Sequence, residues 1–142
     1  MRLPAILIVA TLLLTACAKT TDEEQIAAHI AAITEAVENK KFSAVQDYLD
    51  EGFRANEQMD AQEVRQLLMM YGLQHKSLGV TVVSSNTTMD AVFPDRAQTT
   101  MSVVVTGSSG LLPSDGSVRT VSVEWVKNSG DWVIRKAKWQ DY

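Results

Sequence analysis

The sequence has little thiol and little imidazole: one cysteine and two histidines in 142 residues. A single cysteine cannot close an internal disulfide, so any exported domain here must rest on its core alone. Two histidines and one thiol would leave a zinc site to carboxylates, and no ligand spacing suggests one; no metal and no other cofactor is expected. There is no basic excess either, with 13 Lys and Arg against 17 Asp and Glu, a formal charge of −4. An acidic chain without a basic stripe argues against nucleic acid as a partner. It also argues against capture of anionic lipid head groups by charge. No G-x-S-x-G elbow marks a covalent serine mechanism. No apolar run approaches the 20 or so residues that span a bilayer.

The informative features begin at the N-terminus. Arg2 and the start amine precede Leu3–Leu14, which is almost wholly apolar. Its length and flanks match the hydrophobic region of a secretory signal. The next residues, Leu14-Thr15-Ala16-Cys17, resemble the lipobox of bacterial lipoproteins, in which an aliphatic and two small residues precede an obligatory cysteine. That resemblance implies acylation of the Cys17 thiol and cleavage between Ala16 and Cys17, with residues 1–16 as signal peptide. The alternative is an ordinary secreted protein with a free thiol near its cleavage site. Each buried CH₂ contributes about 0.8 kcal/mol, so one acyl chain holds marginally and two or three hold firmly. Ala18 stands where an aspartate tends to retain Gram-negative lipoproteins in the inner membrane. The resemblance therefore implies the outer membrane, facing the periplasm. Residues 17–21 form the lipidated N-terminus and a short linker. The four residues Ala18–Thr21 reach at most about 14 Å, which keeps the domain close to its membrane.

Removal of residues 1–16 leaves 126 residues, with 12 basic against 17 acidic side chains and a formal charge of −5. That length suits one continuous core, over residues 22–142. Thr21-Asp22-Glu23-Glu24 reads as a capping box, and Ile26, Ile30, Ile33 and Val37 follow at helical spacing, with an end near Asn39–Lys41. A short second helix is expected from Ser43, presenting Val45, Tyr48 and Leu49 and ending at Gly52, then a short strand over Phe53–Glu57. Asp60 and Glu63 form another capping box. Val64, Leu67, Leu68 and Tyr71 make the stripe of a third helix that ends near Gly72 or His75. From Leu78 the period changes to 2. Leu78, Val80 and Val82 share a face; Asn86–Phe93 continues the strand through a bulge; Phe93-Pro94-Asp95-Arg96 is a turn. Met101, Val103 and Val105 alternate, as do Val121, Val123 and Trp125. Asn128-Ser129-Gly130-Asp131 is a hairpin turn, and Trp132–Trp139 is the last strand. Strict alternation there would place Lys136 and Lys138 beside Trp132 and Ile134, so a bulge or an early strand end is expected.

Helices first and an antiparallel meander after them make an α+β design, with N-terminal helices packed on one face of a curved antiparallel sheet. Tyr48-Leu49-Asp50-Glu51-Gly52-Phe53 after a long helix, and a closing hairpin ending in Gly130-Asp131-Trp132-Val133-Ile134, resemble the nuclear transport factor 2-like superfamily, which includes the SnoaL-like proteins. The resemblance runs from about Glu23 to Trp139. It implies a cystatin-like cone-shaped roll, often with a pocket at the wide end, and a homodimer through the sheet, which many members form. Family enzymes such as ketosteroid isomerases and polyketide cyclases use an acid or base in an apolar pocket, where burial retunes its pKa. No family catalytic pattern matches here position by position, so no catalytic residue is assigned.

The pocket-lining candidates are His29, Tyr48, Tyr71, His75 and Trp125. Tyr71 and His75 are four apart and share a helix face if the third helix extends that far; they are either an acid–base pair or a core tyrosine beside a solvated histidine. His29 flanks the isoleucine stripe and points into the cone or sits at its boundary. Asp47 and Arg54 are further places for an ionisable group. Trp125 shares a face with Val121 and Val123 and is core or pocket wall. Leu111 and Leu112, at a loop tip, either contact a partner protein or lipid or fold over the cone mouth. Two functions follow. One is a membrane-anchored envelope lipoprotein whose non-enzymatic domain binds a partner protein or an apolar ligand. The alternative is a small tethered pocket enzyme, an isomerase, cyclase or hydrolase. Replacing Cys17→Ser in cells should abolish acylation, so that the chain no longer fractionates with membranes; a membrane-bound C17S chain would contradict the lipobox reading.

Overall fold

Two capping boxes open the long helices. In the computed structural model, which describes residues 20–108 and 117–141, Thr21 Oγ1 accepts the Glu24 N–H at 3.2 Å and Glu24 Oε2 accepts the Thr21 N–H at 3.4 Å. They start α1, Asp22–Glu38. Asp60 and Glu63 exchange the same pair of bonds, both 2.9 Å, and start α3, Ala61–Gln74. Each box satisfies two N–H groups that a helix end otherwise leaves unpaired. Between them lie α2 (Phe42–Val45), a 3₁₀ turn (Gln46–Tyr48) and β1 (Leu49–Ala55). The strands β2 (Ser77–Met89), β3 (Arg96–Ser108), β4 (Ser117–Asn128) and β5 (Asp131–Asp141) follow. The signal segment, Cys17, Leu111 and Leu112 lie outside the described residues.

Three local expectations are corrected. The second helix begins at Phe42 and gives way to the 3₁₀ turn at Gln46, and Gly52 lies within β1 rather than ending a helix. The cause is pairing: Leu49 is already in register with Ile134, and the ladder then shifts before Arg54 meets Lys136. In that irregular stretch the Gly52 N–H donates to Asp50 Oδ2 at 3.1 Å. Finally, the sheet is mixed. Its order is β1-β5-β4-β3-β2, and β1 pairs with β5 in parallel while the other neighbours are antiparallel. The connection from β1 to β5 contains α3 and three strands, ample length for a parallel return.

Two bulges set which side chains face inward. In β2 the register shifts between Val82 and Ser84. Leu78, Val80 and Val82 point inward before it, and Thr87 and Met89 after it, opposite Thr99 and Ala97. In β5, Trp125 pairs with Ile134 while Glu124 pairs with Lys136, so Arg135 is the extra residue. That bulge turns Trp132, Ile134, Ala137 and Trp139 to the interior and leaves Lys136 and Lys138 exposed. The β4–β5 turn has Ser129 at φ 52° and Gly130 at φ 86°. Two successive positive φ values match the right-handed twist of a hairpin, and glycine carries the second without strain.

Ile26, Phe53, Ala97, Val123, Trp125, Trp132 and Ile134 form the buried cluster under α1. The Trp125 indole N–H donates to Thr99 Oγ1 at 3.0 Å, and Thr99 Oγ1 lies 2.8 Å from Thr87 Oγ1. Both ends of α1 are tied down. Asp22 Oδ1 accepts from the Trp132 indole at 3.0 Å and from Lys127 Nζ at 2.8 Å. Past the other end, Lys40 Nζ donates to the carbonyls of Gly72 at 2.8 Å and His75 at 2.6 Å, which finishes α3. Glu38 Oε1 accepts the Val80 N–H at 2.9 Å and so caps part of the exposed edge of β2. Thr99→Val should leave the buried Trp125 N–H without its partner and cost about 1–3 kcal/mol, read as a shift in the urea midpoint at constant m value.

Candidate functional site

Between α1, α3 and the concave face of the sheet lies a cavity of about 310 Å³. Ile30, Ile33 and Val37 of α1 and Val64, Leu68 and Tyr71 of α3 form its roof. The inward residues of all five strands form its floor, among them Phe53, Val80, Val103, Val123, Trp125 and Trp139. Among the described residues the lining holds no carboxylate, imidazole, ammonium or guanidinium group, and its hydroxyls are those of Thr34 and Tyr71. The Thr34 hydroxyl donates to the Ile30 carbonyl at 2.8 Å, within its own helix. A second depression, about 320 Å³, is lined by charged side chains including Asp90, Arg96, Glu124 and Arg135. Arg96 there stacks over the Phe93 ring at 4.8 Å, and Arg135 and Glu124 each face an ion partner, Asp50 and Lys136. Among the described residues no group of His, Cys, Asp and Glu could hold a metal ion.

The candidates divide between the wall and its surroundings. Trp125 and Tyr71 line the cavity. His29 and Tyr48 stand outside the lining, edge to face at 5.0 Å, with the His29 ring 6.3 Å from Trp125. His29 Nδ1 lies 3.0 Å from the Trp132 carbonyl, which sets it as a positioned boundary histidine of the α1–β5 contact. His75 follows the last turn of α3 as its cap, not as part of the helix. Its ring still meets Tyr71, at 4.3 Å. Among the described residues His75 Nδ1 is buried without a hydrogen-bond partner. The ring fits there because β3 offers a glycine, since a Cβ on Gly107 would come within 2.6 Å of Nδ1. His75 thus stands outside the described lining, against Tyr71. Asp47 is exposed, and Arg54 Nη1 donates to the Phe53 carbonyl at 2.9 Å beside the exposed Glu57. Neither belongs to the cavity.

No profile of a known protein family matches the sequence, and no curated protein resembles it in sequence. Solved structures do resemble it in fold. An NTF2-like protein with a cystatin-like fold from Novosphingobium aromaticivorans superposes with a TM-score of 0.68 at 12% identity, over 83% of this chain and 80% of that one. The fold is NTF2-like. A candidate dehydratase of the NTF2-like family from Streptomyces avermitilis gives 0.67 at 14% identity, over 85% of this chain and 96% of that one. Bd1075 from Bdellovibrio bacteriovorus gives 0.69 at 12% identity over 82% of this chain, which spans 40% of Bd1075. At such identities the likeness carries the fold and nothing about activity.

Within this NTF2-like frame, the wall residues that the candidate set lacked are mostly aliphatic: Ile33, Leu68, Val80, Val103 and Val123. Their signal was periodicity, helical for Ile33 and Leu68 and alternating for the valines, which marks an inward face but does not distinguish packed core from the lining of a pocket.

Proposed function

We propose that this chain is a lipid-anchored envelope protein whose NTF2-like domain binds an apolar small molecule without transforming it. The observation that carries the binding is the chemistry of the 310 Å³ cavity, whose lining among the described residues is almost wholly aliphatic and aromatic. Ligand sites of this size are mostly apolar, with a few polar groups that fix orientation. Here the Tyr71 hydroxyl and the Thr34 hydroxyl are what a ligand could meet. The lipobox-like Leu14–Cys17 supports the anchor. Among the described residues no helix is long and apolar enough to cross a membrane.

The enzyme reading draws on fold neighbours named as candidate dehydratases. General acid–base catalysis needs a proton-transfer group within hydrogen-bond reach of the bound substrate. The ionisable candidates His29, His75, Asp47 and Arg54 all sit outside the wall, and Tyr71 alone lines it. That arrangement favours retention over turnover. Titrating the purified chain with N-phenyl-1-naphthylamine should give saturable energy transfer from the wall tryptophans. Val123→Trp, which fills the cavity, should raise the dissociation constant about tenfold or more, roughly 1.4 kcal/mol. His75→Ala should leave it unchanged. A folded wild type that takes up no probe would refute the binding reading.

A further inference from the structure

We infer that the turn between β2 and β3, Ala91–Pro94 with Val92 and Phe93 at its tip, is a membrane-docking wedge that seats in the lipid surface beside the point where the chain runs toward Cys17. The inference rests on the anchored reading of Cys17 and adds to it a face and an orientation.

The tip is apolar and outward. Val92 is 76% exposed and Phe93 50%, and Ala91 and Pro94 beside them are exposed as well. It is also built rather than loose. Asp90 Oδ1 accepts the N–H groups of Val92 and Phe93, both at 2.8 Å. The Arg96 N–H donates to the Phe93 carbonyl at 3.1 Å, and the Asp90 N–H to the Arg96 carbonyl at 3.0 Å. The two N–H groups, of Phe93 first and then Val92, hold the Asp90 carboxyl below the usual carboxylate range. The turn therefore keeps its shape into mild acid, and a preorganised tip loses little freedom when it is seated.

Its position picks the occupant. One residue joins the turn to the start of α1: the Lys127 backbone N–H donates to the Asp95 carbonyl at 2.8 Å, and Lys127 Nζ donates to Asp22 Oδ1 at 2.8 Å. The chain passes from Asp22 through Thr21 toward Cys17, and residues 18–21 extend at most about 14 Å. A lipid on Cys17 thus brings the bilayer surface to the same end of the molecule as Val92 and Phe93. Leu73 and Met70, two further exposed apolar residues among those described, do not share that end. Leu73 and Met70 stand on the last turns of α3, which Lys40 fastens beyond the far end of the 17-residue α1, about 25 Å away at 1.5 Å per residue.

The contact is apolar rather than ionic. The cations near the tip, Arg96 and Lys127, stand among Asp22, Asp90, Asp95 and the acidic first turn of α1. The Arg96 guanidinium itself lies 4.8 Å over the Phe93 ring, a cation–π contact that lets ring and cation sit together at head-group level. Two side chains would hold a free protein on a bilayer only weakly. On a tethered chain the contact is intramolecular in effect, and the same two suffice to fix orientation.

The test uses the full chain purified from membranes and reconstituted in phosphatidylcholine vesicles that contain nitroxide-labelled lipid. Phe93→Cys and, as a second reporter from the same tip, Val92→Cys carry an environment-sensitive fluorophore; Leu73→Cys is the reference at the far end. Quenching at positions 93 and 92 should exceed that at 73 several-fold and should persist at raised salt. Equal quenching at the two ends in an acylated chain would overturn the docking face and leave the anchor standing. A mass spectrum of the same sample with no acyl group on Cys17 would overturn the anchor, and the orientation with it.

Discussion

The structure turns on the buried indole of Trp125. It is 1% exposed, and its N–H is satisfied by Thr99, on the neighbouring strand and itself buried. The ring lines the cavity, and it also packs in the Ile26 cluster with His29 6.3 Å away. A large rigid side chain at the centre of the concave face fixes how deeply α1 can sit on the sheet. The ends of the helix are then fixed separately, by Asp22 on Trp132 and Lys127, and by Lys40 on the end of α3. Protein interiors normally pack to the density of organic crystals. Here a half-open pocket of about 310 Å³ remains between roof and floor, with α1 tied at both ends and Trp125 in the wall.

Much of this was legible beforehand. The capping boxes at Thr21 and Asp60, the period change at Leu78 and the turn at Asn128–Asp131 each follow from local chemistry, and local chemistry is what a sequence displays. The misfit of Lys136 and Lys138 with Trp132 and Ile134 left a bulge or an early strand end open, and the structure has the bulge, at Arg135. What was not legible depends on contacts distant in sequence. Nothing near Leu49 announces that it will lie parallel to Ile134. The rings of Tyr71 and His75 do meet, although α3 stops before His75, and the spacing could not reveal that Tyr71 would line the cavity while His75 would settle against Gly107. Trp125 was readable as interior; whether its neighbours enclose space is a property of backbone curvature.

The molecule has two different ends. At one, the first turn of α1, the β4–β5 hairpin and the Val92–Phe93 tip converge on Lys127. At the other, α3 finishes on Lys40, with His75 packed on Gly107. The apolar cavity lies between them. An anchor at the first end would leave the second facing away from the membrane, which is a workable arrangement for a protein that holds an apolar molecule near a bilayer.

Xenon pressurised into crystals of the domain gives the most direct view of that cavity, because a preformed dry cavity admits the gas without a specific ligand. Ordered xenon bounded by Ile33, Leu68, Val123 and Trp125 is the expected result. Crystals that take up no xenon there, with Ile33 and Leu68 packed directly against Val123, would contradict a roof held off its floor.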